Sequence, residues 1–284
     1  MPSRLDAVLE AIYGAYSIDW QLVSGATVRE SLAAEALYLS VTMAELLGDE
    51  PEAFGLAALI NLSIARTAAR TDEEGRHVPL DEQDTSRWDA ELIAAGEGCL
   101  RRAYAFERPG RFQLEAAIQS VHCARAASGT TDWAALRKLY EALVHLAPTL
   151  GARVSLAVAI ARTEGAAAGV RALDRLDANP DSRAAAKRFQ PLWATRAHLL
   201  TEAGRTKEAV QAFDKAISLT TDPVIRFLPS GEGGRTTLSS VIAGLFLAGK
   251  EPAEGLDPGG HEPTFGGGVI EGALGFAGGV VASA

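Results

Sequence analysis

The sequence is poor in cysteine and in aromatic residues. Its two cysteines, Cys99 and Cys123, are too few for a disulfide framework and have no metal-ligand spacing. Both lie in apolar patterns of helical period, so small buried thiols are predicted. Aromatic residues make up only 6% of the 284 residues, whereas alanine dominates the apolar ones. Because alanine is the strongest helix former, this composition favours an α-helical protein.

Basic residues are fewer than acidic residues. The formal net charge is −9, from 27 Lys and Arg against 36 Asp and Glu. Binding of DNA through its phosphates requires several clustered cations, so we expect no direct DNA binding by this chain. The densest basic group is interpreted as a solvated helix end and turn, and comprises Arg101, Arg102, Arg108 and Arg111.

Signals for secretion, membrane insertion and β-structure are missing. The N-terminal run MPSRLDAVLEA has no basic region followed by an apolar one, so a cytoplasmic location is predicted. The apolar run 266–284 is rich in glycine and poor in Leu and Ile, which favours disorder over a membrane helix. No stretch before residue 229 alternates between apolar and polar residues, so no sheet is predicted there.

No group of residues has the pattern of a catalytic, cofactor or metal site. Residues 244–251 fit G-x4-G-K, but Glu251 stands where a phosphate loop needs Ser or Thr to bind magnesium. His122 and Cys123 are adjacent, so on a helix they cannot form a nucleophile–base pair. The acidic segment 71–84 lacks the ligand spacing of a calcium loop. Three other histidines could be metal ligands, but none has a partner in a ligand pattern. They are His77, His145 and His198. We therefore expect no enzyme activity, no cofactor and no metal, and an enzyme is the least favoured alternative.

Apolar residues recur with helical spacing along most of the chain. A first stripe comprises Leu5, Val8, Leu9, Ile12 and Tyr16, and a second comprises Leu32, Ala36, Leu39 and Met43. Thr27 and Glu30 form a capping box at the start of the second helix. The segment 71–84 is predicted to be a long ordered loop, after which the helical pattern resumes at Trp88. Helices joined by short turns pack antiparallel to their neighbours, so the chain is predicted to be all-α.

One segment fits the tetratricopeptide pattern. In 193–223, Trp193 takes the large first position, Gly204 the turn and Phe213 the large position of the second helix. The small contact residues of this unit are Ala197, Ala209 and Ala216. Weaker units are visible at 133–148 and at 154–176. Since one such unit cannot bury its own apolar face, stacked antiparallel helix pairs forming an α-α superhelix are predicted for residues 1–228.

Residues 4–228 resemble the C-terminal helical extension of bacterial extracytoplasmic-function RNA polymerase sigma factors. The most specific runs are EQDTSRW at 82–88 and FQLEAAIQ at 112–119, and the segments occur in the family's order. The resemblance implies a tetratricopeptide-like regulatory domain with RNA polymerase or the sigma regions as partner. No sequence like the promoter-reading sigma regions precedes Met1, so promoter binding is not implied here. Ser155 and Leu156 replace an Asn-Arg pair that is common in the family.

The resemblance ends at Leu228. Residues 229–284 contain 15 of the 28 glycines and show no helical stripe. Such a composition offsets little of the chain entropy lost on folding, so this Gly-rich tail is predicted to be disordered or out of the native frame. On this hypothesis the gene is truncated or frameshifted. Resequencing it with its flanks tests the idea, because one intact reading frame on both sides would rule it out.

The candidate residues fall in the most specific runs and at the large aromatic positions. In EQDTSRW, Asp84 and Arg87 can pair, Ser86 with Asp89 can cap a helix, and Trp88 can anchor the loop. This structural interpretation is favoured over a loop that faces a partner, which stays open. The candidates for structural or partner-contact roles are Gln83, Asp84, Arg87, Trp88, Phe112, Gln113, Trp133, Trp193 and Phe213.

Two functions follow as hypotheses. The first is a non-enzymatic regulatory domain that contacts polymerase or sigma regions and tunes transcription initiation. The alternative is a free-standing tetratricopeptide-type adaptor unrelated to transcription, which would hold a peptide or a neighbouring domain on a concave face.

Overall fold

A computed structural model describes residues 4–18, 26–73, 78–178 and 180–219. These residues form α-helices and short 3₁₀ turns with no β-strand among them, which confirms the all-α prediction. The α-helices are α1 (Arg4–Ile18), α2 (Ala26–Leu47), α3 (Pro51–Ile64), α4 (Ala90–Tyr104), α5 (Arg111–Cys123), α6 (Arg125–Ser128), α7 (Trp133–Leu146), α8 (Leu150–Glu164), α9 (Ala166–Ala178), α10 (Pro180–Ala186), α11 (Gln190–Glu202) and α12 (Thr206–Leu219). The 3₁₀ turns are Thr67–Ala69, Leu80–Glu82 and Thr85–Arg87.

The chain divides into two compact units. Within the described residues, the first unit holds 4–18, 26–68 and 84–146, and the second holds 69–73, 78–83, 147–178 and 180–219. The predicted single domain over 1–228 and its superhelical form stay predictions. The predicted tail at 229–284, with the segments 244–251 and 266–284, lies outside the described residues.

The core of the first unit is built around α3. This helix is apolar on nearly every side and packs against α2, α4 and α5. An all-round apolar helix is stable only when its neighbours enclose it. Two glycines let those neighbours approach. A side chain at Gly55 would come within 2.7 Å of the Gln113 backbone N, and one at Gly96 within 2.7 Å of Leu62 Cγ.

The helix boundaries follow local capping chemistry. The Asp132 carboxylate accepts from Ala135 N at 2.9 Å and so caps the start of α7. The prediction that helical structure resumes at Trp88 is wrong by two residues. Asp89 is the N-cap of α4 and accepts from Glu91 N and Leu92 N at 3.0 Å each. Helix α2 begins at Ala26. The side chains of Thr27 and Glu30 lie outside the described part, so the predicted capping box stays a prediction.

The second unit contains the two predicted helix pairs. The helices α8 and α9 pack together, as do α11 and α12, and all four contribute to one apolar cluster. Trp193 and Phe213 both join that cluster, beside the small residues Ala197, Ala209 and Ala216. Gly204 adopts a left-handed conformation, φ +73°, at the turn between α11 and α12. The predicted alternation of large and small residues is therefore present in this pair.

Candidate interaction surface and buried polar centre

Most of the predicted candidate residues are inside their units. Gln83, Trp88, Phe112, Gln113 and Phe213 are buried. Such side chains hold the fold together and are not available to a partner in this conformation. The exposed candidates are Asp84 and Arg87, and the half-buried ones are Trp133 and Trp193.

The EQDTSRW run builds a capped turn. Asp84 accepts from Ser86 N at 2.9 Å and from Ser86 Oγ at 2.8 Å, and these two bonds lower the pKa of its carboxyl group. Ser86 thus pairs with Asp84 in this turn, and Asp89 caps α4 directly, which corrects the predicted Ser86–Asp89 cap. Trp88 is buried with the Arg125 guanidinium 5.1 Å from its ring centroid. The Trp88 ring is therefore part of the interior of the first unit, and its role in anchoring the loop stays a prediction.

Gln83 belongs to the second unit. Its Nε2 donates to the carbonyl of Val78 at 3.2 Å, so it braces the end of the segment predicted as a long ordered loop. That segment is more regular than predicted, because Leu80–Glu82 forms a 3₁₀ turn.

Phe112 and Gln113 lie at the first turn of α5, which Glu52 caps from α3. Glu52 accepts from Phe112 N at 2.9 Å, from Gln113 N at 3.2 Å and from Gln113 Nε2 at 3.2 Å. The N-cap residue Gly110 has no side chain, and the Glu52 carboxyl group occupies the space beside it. Burial raises the pKa of Glu52 despite these bonds. Sequence reasoning missed Glu52 because its partners are sixty residues away.

Arg111 corrects the predicted solvated basic group. Its guanidinium pairs with Glu115 at 2.6 Å and with Glu10 at 2.8 Å, and Glu115 is the main cause of its raised pKa. Arg101, Arg102 and Arg108 are exposed as predicted. Arg111 is therefore a structural cation that joins α1 to α5.

Trp133 and Trp193 are each fixed by a polar or aromatic neighbour. Trp193 Nε1 donates to the carbonyl of Ala186 at 3.2 Å, and the Arg196 guanidinium lies 5.2 Å from its ring centroid. The rings of Trp133 and His122 meet edge-on with their centroids 6.2 Å apart. Both indoles thus serve packing within their own unit.

The second half of α2 presents an apolar face to solvent. Ala36, Ser40 and Ala44 form its buried side at i, i+4 and i+8. On the opposite side, Tyr38 is 65% exposed and Leu46 is 77% exposed. We call the exposed side the α2 outer face, comprising Glu35, Tyr38, Leu39, Glu45 and Leu46. The predicted buried stripe is wrong at Leu39, which is exposed because the buried side is made of small residues that pack closely on the unit.

A buried polar centre lies where α3 ends and α5 ends. Arg66 is 1% exposed, and its guanidinium donates to Gln119 Oε1 and to the carbonyl of Leu62. His122, one turn after Gln119, is 2% exposed. Burial lowers the pKa of His122 well below its ordinary value, and the nearby cations Arg66 and Arg125 lower it further. His122 is therefore neutral in the folded protein near neutral pH.

The buried His122 should make the protein less stable in mild acid. The unfolded imidazole takes up a proton near its ordinary pKa, whereas the folded one does not, so falling pH favours the unfolded state. Between about pH 7 and about pH 5, the free energy of unfolding of the wild type should fall relative to that of His122→Gln, with a slope approaching about 1.4 kcal/mol per pH unit. Urea unfolding at several pH values measures this, and parallel profiles for the two proteins would refute it.

Two further classes of site are absent from the described ranges. No group of three or more His, Cys, Asp or Glu there could hold a metal ion. No helix there is sufficiently long and apolar to cross a membrane. His198 Nε2 does have an acidic neighbour, Glu202 Oε1 at 3.1 Å one turn on. This single pair is not a group of metal ligands.

Residues 4–104 match a family of unknown function, DUF6596. The chain is also similar to an uncharacterized protein of Rhizobium meliloti (strain 1021), with 33% identity over 220 residues. That alignment covers 77% of this chain and 51% of the relative, so the chain spans about half the length of the curated relative it matches. No solved structure matches. These similarities assign no activity.

Proposed function

We propose that this chain is a non-enzymatic interaction domain that contacts RNA polymerase and tunes transcription initiation, with the α2 outer face as the contact. The observation that carries the proposal is the exposure of Tyr38 and Leu46 on a helix whose opposite side is already buried. A helix that is apolar on both sides is fully stabilised only when both sides are covered by other groups. Clustered exposed apolar side chains are typical of protein-binding surfaces.

The α2 outer face has the make-up of an interface centre with a charged rim. Tyr38, Leu39 and Leu46 provide the apolar area, and aromatic residues of this kind supply much of the energy of protein interfaces. Glu35 and Glu45 are exposed on the same side of the helix. The surface on the polymerase should therefore be apolar with basic residues at its edge, because opposite charges at the rim speed association.

The resemblance of residues 4–228 to the helical extension of sigma factors supports a role in transcription. In the sigma factors that the chain resembles, a helical extension accompanies the regions that hold polymerase and promoter. A domain of this kind needs no DNA contact of its own, in keeping with the acidic charge of the chain. Its place of action would be the cytoplasm, where polymerase works.

A binding measurement with purified components tests the proposal. The chain should bind core RNA polymerase or the isolated sigma regions, and Tyr38→Ser with Leu46→Ser should weaken binding by about thirtyfold or more, the loss expected of interface hot spots. Biolayer interferometry gives the Kd, and circular dichroism checks the fold. The matched control is Val8→Ser with Tyr104→Ser, which removes two apolar side chains of 43% and 41% exposure outside this face. Equal binding by both double variants would rule out the α2 outer face as the contact.

The alternative is an adaptor unrelated to transcription. The pair α11 and α12, with Trp193 and Phe213 against small alanines, favours it, because tetratricopeptide pairs commonly hold peptides. A well-folded chain that binds neither polymerase nor sigma regions would support the adaptor and end the first proposal.

A further inference from the structure

The buried polar centre contains an arginine without a counter-ion. Arg66 is 1% exposed, and its hydrogen-bond acceptors are both neutral, the carbonyl of Leu62 and the side-chain oxygen of Gln119. No carboxylate of the described chain forms an ion pair with it. By contrast, Arg111, which is less buried, pairs with two glutamates. A buried charge is costly unless it is paired, so an anion has a strong reason to occupy a position beside Arg66.

Two more buried donor groups belong to the same part of the first unit. Asp89 N donates to the carbonyl of Ala65 at 2.8 Å, which sets Trp88 beside Arg66 along the backbone. Trp88 Nε1 is buried and has no hydrogen-bond acceptor among the described residues, and the same is true of His122 Nε2. An indole N–H can only donate, and a neutral imidazole can donate from this nitrogen. Unpaired buried polar atoms of this kind are rare and need an explanation.

The cluster is held together from several sides. Gln119 and His122 are one turn apart on α5, and Gln119 accepts from Arg66. The Arg125 guanidinium lies 5.1 Å from the Trp88 ring centroid and acts electrostatically on His122, as Arg66 does. The groups in this cluster therefore include two cations and two neutral N–H donors. A metal cation would be repelled from such a set, whereas an anion would be stabilised by it.

We propose that Arg66, Trp88 and His122 form a binding site for a small oxyanion, a phosphate or a carboxylate. The planar guanidinium suits the paired oxygens of either group, and bonds between ionised partners are about twice as strong as neutral ones. Trp88 Nε1 and His122 Nε2 would donate to further oxygens. The motif EQDTSRW then has a second role, because its turn delivers the indole N–H to this site. The site does not depend on the proposed contact with polymerase.

Thermal unfolding of the full chain provides the first test. The probes are inorganic phosphate and acetate, each compared with chloride at equal ionic strength. At about ten times its Kd, the bound anion should raise the Tm of the wild type by roughly 3–6 °C over chloride. Arg66→Met should abolish that rise, while Arg137→Met, a control on the solvent side of α7, should keep it. The control is needed because phosphate stabilises most proteins weakly by exclusion from their surface. An equal rise in wild type and Arg66→Met would overturn the proposal.

A second measurement needs no change at Arg66, in case that variant fails to fold. The indole N–H resonance of Trp88, assigned by its loss in Trp88→Phe, should shift in a saturable way as phosphate or acetate is added to the wild type. The anion that saturates at the lower concentration shows whether the site takes a phosphate or a carboxylate. No shift with either anion, or a shift that never saturates, would mean that the donors are met by water alone and would refute the site.

Discussion

Glu52→Ala is expected to lower the free energy of unfolding of the first unit by about 2–4 kcal/mol. The Glu52 carboxyl group accepts from two backbone N–H groups and one side-chain amide at the start of α5. Gly110, the N-cap residue of that helix, has no side chain to replace it. Alanine would leave buried donors without an acceptor and would also open a space between α3 and α5.

Glu50→Ala is the matched control for this substitution. Glu50 lies two residues earlier and makes no side-chain cap bond, so its loss should change stability by less than about 0.5 kcal/mol. The free energy of unfolding of Glu52→Gln should lie between those of Glu52→Ala and Glu50→Ala, because an amide keeps one acceptor oxygen but loses the charge. Urea unfolding followed by circular dichroism measures all three variants. Equal stabilities for Glu52→Ala and Glu50→Ala would show that the cap across the helices contributes nothing.

Gly169→Val is expected to destabilise the second unit by about 3 kcal/mol. A side chain at Gly169 would come within 2.6 Å of Ala161 Cβ, 2.8 Å of the Ala157 carbonyl oxygen and 2.8 Å of Leu199 Cδ1. These atoms belong to α8 and α11, so the three helices meet where only hydrogen fits. Backbone atoms cannot give way cheaply, and the helix pair α8 and α9 would have to separate.

The control Gly98→Val separates the effect of close packing on stability from the effect of helix propensity. Gly98 is inside α4, and the nearest atom to a side chain there is Arg101 Nη2 at 3.9 Å. Valine is a better helix former than glycine, so Gly98→Val should be neutral or slightly stabilising. Thermal unfolding of both variants gives the comparison. A loss of stability at Gly98 as large as that at Gly169 would contradict close packing as the cause.

Local periodicity was enough to predict the helices and two of their pairings. Trp193, Phe213 and the alanines between them lie within thirty residues, and short turns leave antiparallel packing as the simple outcome. The Asp132 cap was predictable for the same reason, because a cap involves residues three apart. Features that depend on neighbours in sequence are visible in one sequence.

Features that join distant segments were not predictable. In the sequence, Glu52 resembles an ordinary acidic residue in the first turn of a helix, because its contact with α5 is not visible there. Arg111 likewise resembles a solvated residue, because its pairing with Glu10 and Glu115 depends on the fold. The orientation of α2 was also ambiguous, because Leu39 and Leu46 fit an apolar stripe as well as Ala36 and Ala44 do. Which side is buried depends on how closely neighbouring helices approach, and that is a tertiary property.

Hydrogen exchange of the chain alone and with core RNA polymerase or the sigma regions tests the central claim most directly. If the α2 outer face is the contact, amides in the second half of α2 should exchange more slowly in the complex, while those of α7 should keep their rates. Unchanged exchange throughout α2 at saturating partner would contradict the α2 outer face as the contact, whatever other helices become protected.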